Sequence, residues 1–462
     1  MSHADASLRD ALASRLQGRA LAPGDDGFDE ARAVWNARFH RTPALIARCE
    51  TDQDVSASLG FARERGLAIS VKGGGHDYAG NTVGEGSLLV DLGAMRTVTV
   101  DAASRRARVG AGCTWREVDE ATAPHGLAAS GGTVSSVGVA GFSLGGGAGW
   151  LARTAGLAVD NLVSARVVTA DGEVRTAGAD QHPDLFWALR GGGGNFGVVT
   201  EFEIALHPIP AEVLSGQVIY PGERAAELLR FYRDTFRNAP DELMCFPFLL
   251  RIPPLDIFPA EWHGKLAFDF VLAWFGDPGE GAAHIAPFQA LGDPILDYVV
   301  PQPYVQLQQS FDAGMGKGNR WYSRAQQFDQ LTDDAIDALV SNLDPFPGDF
   351  TTVYLAPGGG AVGRVAADAM AYPHRSSAHE IHIFPGWTDA ARDAEVMSWA
   401  DSLHAALRPH GNGGVYVNLL GDGEPDRVRD AYRENWDRLA ALKARWDPQN
   451  VFKGNHNIPP AG

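Results

Sequence analysis

Three glycines followed at once by a histidine, in VKGGGHDYAG (71–80), give the chain its strongest chemical signal. Consecutive glycines let the main chain approach an anion or cofactor and hold it through N–H groups. An imidazole set into such a loop, His76, adds chemistry to what would otherwise be a passive cradle. A second constellation lies in HEIHIF (379–384). The period-two alternation of a strand puts Glu380, His382 and Phe384 on one face and His379, Ile381 and Ile383 on the other. A carboxylate and an imidazole two apart on one face can couple and share a proton. The same pair also fits a solvated edge strand.

The elements that position these groups can be read from periodicity. In DVSASLGFARERG (54–66), Val55, Leu59 and Ala62 at helical spacing before a glycine predict a helix that feeds the strand LAISV and then the glycine loop. SLLVDL alternates Leu88, Val90 and Leu92. TVTVDAASRRARVGAG reads as two strands around a polar turn, and WREVDEATAPHG as a helix. SGGTVSSVGVAGFSLGGGAGW (130–150) holds eight glycines in 21 residues. With no room for a regular hydrophobic period, it is expected to be a lining or a loop system. NLVSARVVTADGEVRTA turns at Asp171-Gly172, HPDLFWALR is a short helix, GGGGNFG is a third glycine cluster, and VVTEFEIAL is an alternating strand. Beyond HPIP (207–210), the apolar runs KLAFDFVLAWF, HEIHIFPGW and GGVYVNLL are interspersed with the amphipathic helices TDDAIDALVSNL and DAEVMSWADSLHAAL. That pattern is a sheet covered by helices. DAYRENWDRLAALKARWDPQNVFKGNHNIPP closes the chain with one helix and an irregular Asn-rich tail.

Composition narrows the function. A chain of 462 residues exceeds one ordinary core, so two or three structural units are expected. Hydrophobic residues at 45% and charged residues at 21% fit a soluble globular protein. The formal net charge of −18 argues against nucleic-acid or anionic-membrane binding, which needs a basic footprint, and favours a small-molecule partner. The N-terminus lacks a signal-type apolar core and no apolar run is long enough to cross a bilayer, so a cytoplasmic protein is expected. Cys49, Cys113 and Cys245 give neither a disulfide framework nor metal spacing and read as buried small hydrophobes; no metal is expected.

Common motifs fail on context. Gly192, Gly194 and Gly197 satisfy G-x-G-x-x-G, but a helix precedes them and a strand follows, the reverse of the nicotinamide fingerprint. GMGKGN lacks the spacing and the Ser/Thr of a Walker loop, and neither H-E-x-x-H nor G-x-S-x-G occurs. Any one glycine cluster could be a flexible loop of an interaction protein. Their order separates the readings.

That order, with PGDDGFDEARAVWN, PALIARCETDQDV, VKGGGHDYAG, SSVGVAGFSLGGGAGWLARTAGLAVDNLVSARVVTADG, HPDLFWALRGGGGNFGVVTEFEIALHP, AYPHR, GGVYVN and WDPQNVFKGNHNIPP, resembles the vanillyl-alcohol-oxidase (PCMH-type) superfamily of flavoproteins over nearly the whole chain. The resemblance is to its bacterial members similar to berberine bridge enzymes. It implies an α+β fold: an FAD-binding PCMH-type domain of two α+β subdomains (1–207), a substrate domain with an antiparallel sheet backed by helices (208–410), and a C-terminal segment (411–462) completing the FAD domain. It implies FAD along the glycine loops, with its pyrophosphate held by backbone donors of residues 72–78.

The same resemblance implies site residues. For the cofactor they are Lys72, Gly73, Gly74, Gly75, His76, Asp77, Tyr78, Gly131, Gly132, Val134, Val137, Gly138, Gly141, Gly145, Gly147, Gly197, Val198, Val199, Tyr416, Asn418, Asn455 and Asn457. It implies one covalent bond, from His76 to the flavin 8α-methyl carbon. Relatives that add a cysteinyl tether carry Cys where this chain has Val134, and Val137 holds a place that resembles an oxygen gatekeeper. Plant relatives use a tyrosine base where this chain has Leu419, which moves the expected proton acceptor to Glu380 or His382, with Tyr416 beside them. Trp262, Phe268, Phe270, Trp274, Trp321 and Tyr322 are candidates for the pocket wall, with core packing the main role of most. The implied activity is oxidation of an alcohol, sugar or natural-product intermediate by hydride transfer to flavin N5, with O2 reduced to H2O2. A flavin dehydrogenase using another acceptor and a non-catalytic binding protein are the alternatives.

Overall fold

The helix Asp52–Arg65 begins where the Thr51 side chain accepts from the Asp54 N–H in a capping box, and it stops at Gly66, whose φ of 64° suits glycine. In this computed structural model, which describes residues 3–462, the helix delivers the chain to the strand Ile69–Lys72 and so to the glycine loop. That strand pairs in parallel with Leu88–Asp91, which pairs in parallel with Leu45–Arg48; Arg19–Leu21 closes the sheet antiparallel. All four residues of Leu88–Asp91 are buried, not the alternate ones, because this strand is central in a sheet covered on both faces.

A second sheet is antiparallel, in the order Val98–Asp101, Arg106–Gly110, Val198–Ala205, Leu162–Val168, Val174–Gly178. Its last two strands turn at Asp171-Gly172, with Gly172 at φ 87°. The 130–150 stretch, expected to be a lining or a loop system, is largely irregular but not wholly so. It contains a short helix, Val139–Gly145, whose Val139, Ala140, Ser143 and Leu144 face the interior.

Residues 213–384 build a seven-stranded antiparallel sheet in the order Leu296–Gln302, Val213–Pro221, Leu266–Trp274, Leu243–Arg251, Thr352–Pro357, His379–Phe384, Arg324–Phe328. One face packs on the helices Ala225–Phe236, Asp333–Ser341 and Asp393–Leu407 through a core that includes Phe268, Phe270, Ile381 and Ile383. The other face looks back at the glycine loops. GGVYVNLL joins no sheet: it is irregular backbone with a single tight turn, Val417–Leu419. Its apolar side chains Val415, Val417 and Leu420 bury in the first core, which accounts for the strand-like pattern without a ladder.

The C-terminal helix Trp436–Trp446 carries Lys443, whose ammonium is fully buried. It donates to the Asn195 carbonyl (2.8 Å), the Phe452 carbonyl (3.0 Å) and Asp447 Oδ2 (2.7 Å). A buried cation needs such a full complement of partners, and here they tie the Asn-rich tail to the third glycine cluster. Among the described residues, no helix is long and apolar enough to cross a membrane.

Candidate active site

The glycine loops and the seven-stranded sheet enclose a chamber of about 910 Å³, within the range of ligand sites. One wall is largely backbone. A Cβ on Gly74 would stand 2.5 Å from Gly138 N and Cα, so these two segments touch only because neither carries a side chain. Gly73, Gly74, Gly75, Asp77, Tyr78, Gly132, Gly138, Gly141, Gly197, Val198 and Val199 line the chamber. The Asp77 carboxylate is already engaged, accepting from the N–H groups of Ala79 (3.0 Å), Asn81 and Thr82 (3.2 Å), so it shapes the loop. Across from them, Asn455 and Tyr432 also line the chamber, and Asn455 Oδ1 and the Tyr432 hydroxyl are buried with no partner. Orphaned polar atoms facing a backbone cradle call for a polar ligand. Amide edges, peptide N–H groups and apolar walls fit FAD, whose ring needs donors and acceptors and whose diphosphate needs a nest.

Several expected cofactor residues stand behind this wall. Lys72 turns away and donates to the Ala31 carbonyl at 2.5 Å. Gly131 makes room for the Trp115 ring, and Gly145 for the Asn418 amide. Gly147 donates its N–H to the Tyr416 hydroxyl (2.6 Å). Asn457 lies off the chamber, its Oδ1 buried and unpartnered.

His76 stacks on Trp35 (centroids 4.9 Å apart, planes at 21°), and its Nε2 is hydrogen-bonded with Ser136 Oγ at 3.0 Å. Nδ1 is the nitrogen left for the chamber. Burial, with the Lys317 charge adding to it, lowers the imidazole pKa to about 3. The ring is therefore neutral at physiological pH and keeps the lone pair a nucleophile needs. Val134 and Val137 line the chamber nearby. Cys49, Cys113 and Cys245 are buried in the cores and none is on its wall.

On the sheet side, Glu380 and His382 share the face that looks towards the chamber, but at different depths. The Glu380 carboxyl opens on the chamber and accepts the Tyr416 N–H at Oε1 (3.0 Å). Burial raises its pKa to about 7, against the lowering effect of that hydrogen bond. His382 is sealed behind Tyr354, whose phenol lines the chamber. Ser323 Oγ donates to the Leu419 carbonyl (2.5 Å) and so accepts from His382 Nε2 (2.8 Å); Nδ1 then accepts the Tyr354 O–H (3.0 Å). Burial lowers the His382 pKa to about 3 and fixes this neutral tautomer. Tyr416 accepts at its hydroxyl from Gly147 N–H and from Asn418 Nδ2 (2.6 Å each), which leaves its own O–H free to donate.

Of the candidate wall aromatics only Trp321 reaches the chamber. Phe268, Phe270 and Trp274 occupy the even positions of their strand and Tyr322 joins them in the helix-side core, while Trp262 packs against a small outer cluster. The rings that line it on the sheet side include Phe246, Phe248 and Tyr354, with Phe311 on the loop across from them. Residue types alone do not single out these four or Ser323. Strand parity, once the Leu266–Trp274 face is fixed, would have excluded Phe268, Phe270 and Trp274.

A backbone cradle, a neutral imidazole at its edge and a largely apolar chamber with a few polar groups on its wall define a protein that holds FAD beside a small-molecule site. Known proteins agree. Residues 43–178 match the family described as FAD binding domain, and residues 415–459 the family described as Berberine and berberine like. The (R)-6-hydroxynicotine oxidase of Paenarthrobacter nicotinovorans is 31% identical, over 97% of this chain and 98% of its own. A solved structure of 6-hydroxy-D-nicotine oxidase from Arthrobacter nicotinovorans superposes with a TM-score of 0.86 at 30% identity, covering 96% of this chain and 98% of that one. The xylooligosaccharide oxidase of Myceliophthora thermophila, solved with xylobiose, gives 0.87 at 25% identity, over 98% and 100%. The chain belongs to the berberine-bridge-enzyme-like family of FAD-linked oxidoreductases.

Proposed function

We propose that this oxidoreductase is an oxidase that holds FAD by a single covalent bond to His76 and oxidises a small alcohol or amine with production of H2O2. The observation that carries the catalytic part is the Glu380 carboxyl: it faces the chamber and titrates near neutrality, where a general base works best. Bound FAD supplies the acceptor for a carbon-bound hydride and returns the electrons to O2. Glu380 takes the proton from the substrate O–H or N–H, the Tyr416 hydroxyl donates to the same heteroatom, and the Tyr354–His382–Ser323 chain holds the wall beside Glu380 in one hydrogen-bonded arrangement. On this reading residues 1–207 and 411–462 serve the cofactor and 208–410 the substrate.

The covalent part is supported by the neutral His76 ring with Nδ1 free, and the single bond by the absence of a thiol from the chamber wall. The relatives named for nicotine and xylooligosaccharide chemistry bracket the substrate. The aromatic and aliphatic wall of Phe246, Phe248, Leu250 and Val271 favours an apolar molecule over an oligosaccharide.

The test is acid precipitation of the purified holoprotein together with peroxide detection over a panel of arylalkyl alcohols, amines and oligosaccharides. Flavin is expected in the pellet of the unmutated protein and in the supernatant of His76→Ala, with peroxide formed in proportion to substrate. Flavin wholly in the supernatant of the unmutated protein overturns the covalent bond, and reduced flavin that reoxidises slowly in air overturns the oxidase.

A further inference from the structure

One charged group on the chamber wall has no part in the proposed reaction. Asp269 sits on the strand Leu266–Trp274, on the odd-numbered face with Ala267 and Val271, and lines the chamber. It is 0% exposed, and neither carboxyl oxygen has a hydrogen-bond partner. Its cross-strand neighbours are Ile219 and Phe248. Buried polar groups in native proteins are satisfied almost without exception, and a carboxyl with both oxygens idle is a rare and costly feature. An apolar residue would pack the same place at no such cost. The group is aimed at something that enters the chamber.

We propose that Asp269 is the anchor for a protonated nitrogen on the substrate, so that the chamber takes an elongated apolar amine with its ammonium group on this carboxylate and its reacting end against Glu380. This rests on the reading of the chamber as the substrate site. The register runs Asp269, Phe248, Tyr354, His382 across four adjacent strands, so the anchor and the Glu380 strand are three strand spacings apart, about 14 Å. Between them Phe248 and Tyr354 stack at 4.9 Å and 24°, a flat apolar bed for the body of the ligand.

A cation is preferred to a neutral hydroxyl because the protein provides no counter-charge of its own. The arginine on the chamber wall, Arg251, is exposed and turns Nε to the Phe346 carbonyl (3.0 Å) and Nη1 to the Gly264 carbonyl (2.8 Å). Gln217, on the strand beside Asp269, is neutral. Asp312, on the loop across the chamber, is held by Arg116 and Ser135, and Asp349 by Thr388. The Cys245 thiol, whose pKa is raised by burial and by the Asp269 charge, stays neutral. Burial raises the Asp269 pKa well above the ordinary carboxylate value, and an ammonium seated on the carboxylate offsets that penalty where a neutral hydroxyl does not. The net charge of −18 draws cations towards the molecule.

The test uses the holoprotein and a matched pair of probes, 4-phenylbutylamine and 4-phenylbutan-1-ol, with binding read from the flavin absorbance and by calorimetry without turnover. The amine is expected to bind at least tenfold tighter than the alcohol at pH 8, and its advantage over the alcohol to shrink as the pH falls and the carboxyl takes up a proton. Asp269→Asn is expected to abolish the preference with flavin content unchanged. Asp269→Leu is expected to do the same while raising the Tm of the unliganded protein, which a purely structural carboxyl would not do. Equal binding of the two probes, or an amine preference that survives both substitutions, overturns the proposal. Peroxide formation from amino-alcohols at an unchanged kcat/KM in Asp269→Asn overturns the anchor and leaves the oxidase standing; amine binding through Asp269 without peroxide from any substrate does the reverse.

Discussion

Two residues apart on one strand, Glu380 and His382 look equivalent as proton acceptors, and depth separates them. Glu380 reaches the chamber with a pKa of about 7, while His382 has both nitrogens committed, to Tyr354 and Ser323, and a pKa of about 3. The base form of Glu380 is the ionised one. The rate constant kcat/KM is therefore expected to rise about tenfold per pH unit below 7 and to level off above it. Glu380→Gln should cost about 10²–10⁴ in kcat, the usual contribution of a general base, and remove that inflection. His382→Gln should slow the enzyme through the displaced Tyr354 wall but leave the inflection near 7. A profile that keeps its inflection in Glu380→Gln and loses it in His382→Gln would assign the base to the imidazole instead.

At the scale of elements, the cradle exists because two loops meet backbone to backbone. Gly74→Ala and Gly138→Ala each place a Cβ 2.5 Å from main-chain atoms of the other loop, which no side-chain movement relieves. Each variant is expected to be purified with much less flavin, read as the ratio of absorbance at the flavin band to that of the protein, and to melt at a lower temperature. Gly60→Ala, on the Asp52–Arg65 helix away from the chamber and with nothing within 4 Å of its Cβ, is the control and should retain its flavin. Elements of this kind were legible to different degrees. The Asp52–Arg65 helix and the 171–172 hairpin announce themselves through caps and turn residues, because those signals are local. The Val139–Gly145 helix was hidden by its glycines, since tertiary packing of Val139, Ala140 and Leu144 overrides a poor intrinsic propensity. GGVYVNLL misled in the other direction, its apolar residues filling a core without a ladder. His76 and the glycine loops could be found in the sequence, whereas Asp269 and Tyr354 could not, because what distinguishes them is register across strands distant in the chain.

For the molecule as a whole, the acidic composition continues into the interior. Asp119, on the helix Trp115–Thr122, accepts from Gln308 Nε2 (3.0 Å) at one oxygen and has no partner at the other. The contact joins the first half of the chain to the short helix Tyr304–Gln308. Burial raises the Asp119 pKa from 3.8 to about 7. Between these values the folded protein keeps a proton that the unfolded chain has lost, so unfolding releases it and stability falls as pH rises through the window. A shift of this size corresponds to about 4 kcal/mol once pH exceeds 7. Glu380 adds to the same slope, with its own pKa raised from 4.5 to about 7. Asp119→Asn removes one contribution while retaining an oxygen for Gln308. The variant is expected to match the parent protein in Tm near pH 4, to exceed it by several degrees at pH 8, and to show a shallower fall of Tm between them. Parallel Tm profiles for the two proteins from pH 4 to 8 would mean that Asp119 is ionised in the fold and that the interior tolerates the charge.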